Sequence, residues 1–151
     1  MDGLNVIETK YYQSCRLYGV SLKAPMIEGY ITDDGFDIRP LSQRDAELVD
    51  SRWEYQSSTS ISMVRSIISS VNCCSFGVYH RSDDEGPPLA WILQYEDGPL
   101  GMLHCRKEFR RRGFASALVN YVMNTALGDT SASASERGKK LFAYIVDANL
   151  G

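Results

Sequence analysis

The chain has 151 residues, 44% of them hydrophobic and 23% charged, with a formal net charge of −3. This composition suits one modest globular domain with a core of its own and excludes an intrinsically disordered chain. The acidic total argues against a general nucleic-acid binder, and no apolar run approaches the roughly 18 residues a membrane span needs.

The first residues, Met1 to Glu8, show no basic flank, no apolar core of signal-peptide length and no arginine of the kind organelle transit peptides carry. Residues 1–35 carry no clear pattern beyond one or two strands offered by Tyr11, Tyr12, Leu17, Tyr18, Val20 and Leu22. We set residues 1–35 apart as an N-terminal segment, the remnant of a preceding region or a linker. Asp33-Asp34-Gly35 is a turn signal, and Phe36 to Leu41 reads as a short strand. Ser42 with Asp45 resembles a capping box, and a helix is predicted from there to about Ser51.

Ile61, Val64, Ile68 and Val71 recur at helical spacing, with Ile67 widening the stripe, so a second amphipathic helix is predicted. Cys74 to Tyr79 is the next strand, and Asp83 to Pro88 a loop. Leu89, Trp91, Leu93 and Tyr95 alternate along the following strand. Glu96 to Pro99 is a hairpin connection, and Leu100 to Cys105 returns antiparallel. A helix from about Gly113 to Leu127 has two adjacent apolar rows, Phe114, Leu118, Val122, Ala126 and Ala115, Val119, Met123, Leu127. Gly128 is its expected stop. Thr130 to Ser135 is low-complexity, and the continuous apolar run Leu141 to Val146 reads as a buried parallel strand. The whole predicts an α/β domain of the α+β type over residues 36–151, with a mixed sheet: an antiparallel meander followed by a β-α-β crossover.

Between the last two strands lies Arg110-Arg111-Arg112-Gly113-Phe114-Ala115. A helix start offers unpaired amides and partial positive charge, a glycine admits close backbone approach, and arginines add forked donors. Together they predict a site for a phosphate-bearing ligand beyond the C-terminal strand ends. Arg110, Arg111, Arg112, Gly113, Phe114, Ala115 and the hydroxyl of Ser116 are its candidate contacts. The alternative is a solvated basic loop.

Four cysteines, Cys15, Cys73, Cys74 and Cys105, form no Cys-x-x-Cys, so a reduced, intracellular protein is the simplest reading. His104-Cys105 has no second pair at ligand spacing, and no metal site is expected.

The loop matches the [Q/R]-x-x-G-x-[G/A] pattern of the GNAT acyltransferase superfamily through Arg110, Gly113 and Ala115, with hairpin, strand, helix and strand in that family's order. Pro88-Leu89-Ala90-Trp91, then Gly98-Pro99-Leu100-Gly101-Met102, then Arg106-Lys107-Glu108-Phe109-Arg110 resemble the glycine N-acyltransferase-like branch. Arg106-Lys107 stands where that branch has Leu-Pro, and Trp53 matches a tryptophan after its first helix. The resemblance implies a GNAT-like fold that binds acyl-CoA or acetyl-CoA and passes its acyl group to a small-molecule amine, glycine or another amino acid among the candidates. It also implies that a further helix and two strands follow the Asn149-Leu150-Gly151 turn, so the fold is expected to be incomplete at its C-terminus.

Under that resemblance, the basic loop takes the coenzyme diphosphate. Strand 100–105 lines the pantetheine arm, with a backbone amide among Leu103, His104 and Cys105 steadying the tetrahedral oxyanion. Glu108 matches the branch's glutamate and is the first candidate base, although neighbouring arginines favour its charged form and a loop-orienting salt bridge. His104 is the second candidate base, acting through a water, against a strand histidine bonded to its neighbours. Cys105 is weighed as a nucleophile, and Trp53 and Trp91 as core. The expected location is cytoplasmic or mitochondrial, with no nucleic-acid or membrane partner. Two other readings stand beside the enzyme: an inactive acyl-CoA-binding fragment, and a nucleic-acid module using the basic loop.

Overall fold

Apolar residues on both sides of a strand call for cover on both faces, and Ala90–Gln94 has them: Ala90, Trp91, Ile92 and Leu93 are all buried. The computed structural model describes residues 4–7, 15–20, 35–71, 74–128 and 141–146. Among the described residues, seven strands form one sheet: β1 (Leu4–Ile7), β2 (Cys15–Val20), β3 (Phe36–Pro40), β4 (Phe76–His80), β5 (Ala90–Gln94), β6 (Leu100–Cys105) and β7 (Leu141–Val146). Their order is β1-β2-β7-β6-β5-β4-β3. All neighbours run antiparallel except β6 and β7, which are parallel.

Two helices, α1 (Ala46–Ser51) and α2 (Ser60–Ser69), cover one face, and α3 (Phe114–Gly128) covers the other. Trp91 and Leu93 of β5 pack with Ala46 and Val49 of α1 and with Val64 and Ile67 of α2. Ala90 and Ile92 point the opposite way, to Phe114, Leu118 and Val122 of α3. Leu89 joins this α3 side, so the expected single-face row from Leu89 to Tyr95 holds only from Trp91 onward.

The capping box forms: the Ser42 backbone N–H and hydroxyl both donate to Asp45 Oδ2 at 2.8 Å, opening a 3-10 turn that runs into α1. In α2, Val64 and Ile67 are buried, while Val71 is 96% exposed. The expected extension of the stripe to Val71 fails because Ser70 turns extended and ends the helix. α3 buries Phe114, Ala117, Leu118 and Val122 and leaves Ala115, Val119 and Met123 half-buried, so it has one buried face rather than two buried rows. Gly128 is its last residue.

β7 departs most from expectation. A parallel strand after β6 with nothing on its far side would leave an apolar sheet edge. Instead β2 pairs with β7 from Cys15↔Val146 to Val20↔Leu141, and β1 pairs in turn with β2. Strands from the N-terminal segment set apart at residue 35 thus share the sheet, which relieves the unpaired edge of β7. Tyr11, Tyr12, Leu22 and Thr130 to Ser135 lie outside the described residues.

Candidate functional site

The parallel strands β6 and β7 share one bridge, Leu100↔Ala143. Beyond it, among the described residues, the β6 edge from Gly101 to Cys105 has no bridge to β7. On its other side β6 pairs with β5 as Trp91↔His104 and Leu93↔Gly101. Two steps along β5 oppose three along β6, so β6 carries an extra residue. Met102, at φ 49°, takes the left-handed backbone this bulge requires. Leu103 beside it is 46% exposed. The bulge re-aims the backbone where two parallel strands part, the usual place for a ligand in such a sheet. No residue signal marks it, because methionine has no preference for that conformation.

The chain then makes a 3-10 turn at Lys107–Phe109 and reaches the basic loop. Arg111 (φ 64°) and Gly113 (φ 81°) both adopt left-handed backbone. Gly113 caps α3: its carbonyl accepts the Ala117 N–H at 2.9 Å. Among the described residues no backbone bond reaches the amides of Gly113, Phe114, Ala115 and Ser116, as expected of a helix start. A Cβ at Gly113 would meet nothing within 4 Å, so the turn opens outward. The Phe114 ring is buried edge-on against Phe36, centroids 5.0 Å apart, so of this residue only the backbone faces the turn. Ser116 is exposed and Ala115 half-buried.

The arginines divide by task. Arg106 donates through Nε (3.1 Å) and Nη2 (2.7 Å) to one oxygen of Glu108. Arg110 Nε donates to the Cys105 carbonyl at 3.0 Å, tying the loop to the strand end. Arg112 lies over the rings of Phe109 and Phe36, at 5.6 and 5.8 Å. Arg111 is exposed and without a side-chain partner among the described residues.

His104 and Cys105 point to opposite faces. The His104 imidazole stacks on Trp91 on the α1–α2 side, and burial, then Arg110 and Arg52, lower its pKa from the ordinary 6.5. Cys105 packs toward α3. Burial pushes its thiol up, only partly opposed by Arg110, which does not favour the thiolate a nucleophile needs. Glu108 is exposed, and a bond from its own backbone amide, with the Arg106 pair, holds its carboxyl below the usual range. Trp91 is core, while Trp53 sits half-buried in the turn after α1, edge-on to Tyr55 at 5.9 Å. Among the described residues, no cluster of three or more His, Cys, Asp or Glu side chains could hold a metal ion, and no helix is long and apolar enough to cross a membrane.

A family model described as FR47-like protein matches residues 75–150, half of the chain, from β4 through β7. Among solved structures, a Drosophila protein superimposes with a TM-score of 0.68 at 24% identity, over 90% of this chain and 43% of its own. A GCN5-related N-acetyltransferase from Kribbella flavida superimposes with a TM-score of 0.54 at 10% identity, over 97% of this chain and 55% of its own. This chain therefore spans about half the length of each. No curated protein matches it. The mixed sheet with helices on both faces and two parting parallel strands is the GNAT acyltransferase fold. With the family model covering β4 to β7 and the loop after β6, half of the chain, this protein belongs to the FR47-like protein family.

Proposed function

We propose that this chain transfers an acyl group from acyl-CoA to the amine of a small molecule, with glycine or another amino acid as the first acceptor to test, and that it falls in the glycine N-acyltransferase-like branch. The observation that carries this reading is the coincidence, at one end of β6, of an open strand edge, an outward Gly113 turn and the unpaired amides of α3. Acyl-CoA supplies the activated thioester; the protein supplies position and proton handling. The diphosphate suits the amides from Gly113 to Ser116, with Arg111 and the Nη groups of Arg110 beside them. The amides of the bulged β6 edge suit the pantetheine arm and the carbonyl oxygen that gains charge.

The attacking amine must shed a proton. His104 is suited to take it, because burial and two guanidinium groups favour its neutral form at neutral pH. Glu108 is committed to Arg106, and its part in this reading is to orient the loop. Arg106 stands where the branch has an apolar residue, so the ion pair is a feature of this chain's own sequence.

Thiol release from acyl-CoA in the presence of glycine and other amines tests the reading, alongside thermal stabilisation by millimolar coenzyme A. A ligand at 100 times its Kd stabilises by about 2.7 kcal/mol. No stabilisation and no thiol release overturn the reading. Stabilisation without release selects the second reading, an acyl-CoA-binding chain without catalysis, which the Arg106–Glu108 pair favours by taking one candidate base out of play.

A further inference from the structure

The basic groups near β6 do not all belong to the phosphate loop. Arg52 lies in another part of the chain, as the C-terminal cap of α1. Its backbone N–H bonds the carbonyl of Val49 at 3.3 Å, and the Trp53 N–H bonds that of Asp50 at 3.1 Å. The buried Asp50 carboxylate fixes the turn that follows, accepting from Ser60 Oγ at 2.5 Å and from Gln56 Nε2 at 3.0 Å. Val49, one turn before Arg52, packs in the same cluster as Trp91, and Trp91 carries the His104 ring at 4.7 Å. The end of α1 therefore stands over the face of the sheet that presents His104.

We propose that Arg52 sets acceptor specificity: its guanidinium holds the carboxylate of an amine-bearing acid, placing the amine at His104. This deepens the acyltransferase reading and rests on it for the role of His104. Arg39, Arg44, Arg65 and Arg106 each pair with a carboxylate, whereas Arg52 has no side-chain partner among the described residues. Its charge nonetheless reaches the β6 end, because it disfavours protonation of His104 and of Glu108 alike. Arg52 is exposed, and a cation without a counter-ion on the His104 side of the sheet leaves positive potential that an acceptor's carboxylate balances and an uncharged acceptor does not. The diphosphate of the thioester is not that anion. Its amides open α3, on the opposite face of the sheet from Trp91 and His104. Arginine's planar fork also matches a carboxylate through two parallel bonds.

The chain has two histidines, so the imidazole C–H signals in a proton spectrum report His104 directly, assigned through His80→Gln. The full chain, with coenzyme A present at millimolar concentration, is titrated with glycine to about 100 mM and separately with glycinamide, which keeps the amine and lacks the carboxylate. We expect a saturable glycine shift of His104 and a response to glycinamide that is weaker by roughly 10- to 100-fold in concentration, the range of one charge-assisted bonding pair. Arg52→Gln abolishes that preference for glycine, and Arg52→Lys restores part of it. Equal responses to the two ligands overturn the proposal. So does a glycine response that Arg52→Gln leaves intact, or none at all. Because this readout needs no turnover, a selective response without thiol release separates failure of catalysis from failure of the Arg52 assignment.

Discussion

The His104 imidazole is stacked on the Trp91 indole, ring centroids 4.7 Å apart and planes inclined by 24°. The pair follows from register, since His104 and Trp91 are directly opposed across β5 and β6 and share a face. Burial is the largest cause of the lowered His104 pKa, with Arg110 and Arg52 adding to it. In the folded chain, His104 therefore takes up its proton below the ordinary 6.5. The unfolded chain binds that proton first, so stability is undiminished above the unfolded value and falls as pH drops through it toward the folded one. His104→Gln removes this part of the pH dependence. Under the proposed acyl transfer with His104 as the base, the acid limb of kcat/KM lies below pH 6.5, and Arg110→Gln moves it up. A limb at or above the ordinary histidine value excludes His104 as the base.

Gly113 is held at φ 81° with open space where a Cβ would sit. Gly113→Ala therefore meets no clash, and its cost is conformational, about 1–2 kcal/mol for a left-handed non-glycine residue. For a chain of this size that is a fall in Tm of roughly 2–8 °C. Relaxation of the turn toward negative φ re-aims the amides at the start of α3, so coenzyme A affinity drops by about tenfold or more. Calorimetry of the free chain and titration with coenzyme A read the two effects separately. An unchanged affinity beside a lowered Tm removes the turn from the donor site.

How far this site could be read ahead of the coordinates depended on range. Phe36–Pro40, the hairpin at Gly98 and the helix from Phe114 announce themselves because their patterns are local: two belong to strands of the sheet and the helix packs its apolar face on it. The chemistry-bearing segment Arg106 to Ser116 is contiguous, so its place at a strand–helix junction was also legible. Three features were not. The bulge at Met102 arises from pairing with β5 and has no residue preference behind it. The pairing of β2 with β7 joins segments more than 100 residues apart, which no window of sequence reveals. Arg52 looks like any helix-end arginine until α1 is set over Trp91.

Arg111 and Arg112 are adjacent and identical in type, yet they sit in different surroundings. Arg111 is solvent-exposed, whereas Arg112 lies over Phe109 and Phe36. Arg111→Ala leaves Tm within about 2 °C of wild type, as surface changes usually do. On the proposed diphosphate site it weakens coenzyme A by about tenfold or more, with a flatter salt dependence, because one of that site's charges is lost. Arg112→Ala loses two cation–π contacts, each about 0.5–1 kcal/mol at an exposed site, and lowers Tm. If Arg111→Ala leaves both coenzyme A affinity and its salt dependence unchanged, this guanidinium does not touch the donor.

On the α1–α2 side, the Tyr79 hydroxyl donates to Asp45 Oδ2 at 2.9 Å, the same oxygen that accepts the Ser42 N–H and hydroxyl at 2.8 Å. Asp45 and Tyr79 are both buried, and Arg39 lies 4.4 Å above the tyrosine ring. Burial and the adjacent Asp45 carboxylate raise the Tyr79 pKa far above its usual 10, so the phenol keeps its proton throughout the working range. This bond anchors the start of α1 to β4, and so holds the helix whose far end carries Arg52. Tyr79→Phe removes one donor and leaves the carboxylate two others, for a loss of about 1–1.5 kcal/mol. Asp45→Ala strands the Tyr79 hydroxyl and the Ser42 amide together and costs more, about 2–4 kcal/mol. Chemical denaturation of the two variants gives the order directly. Equal losses would mean that the phenol bond alone anchors the helix and that the capping contacts add nothing.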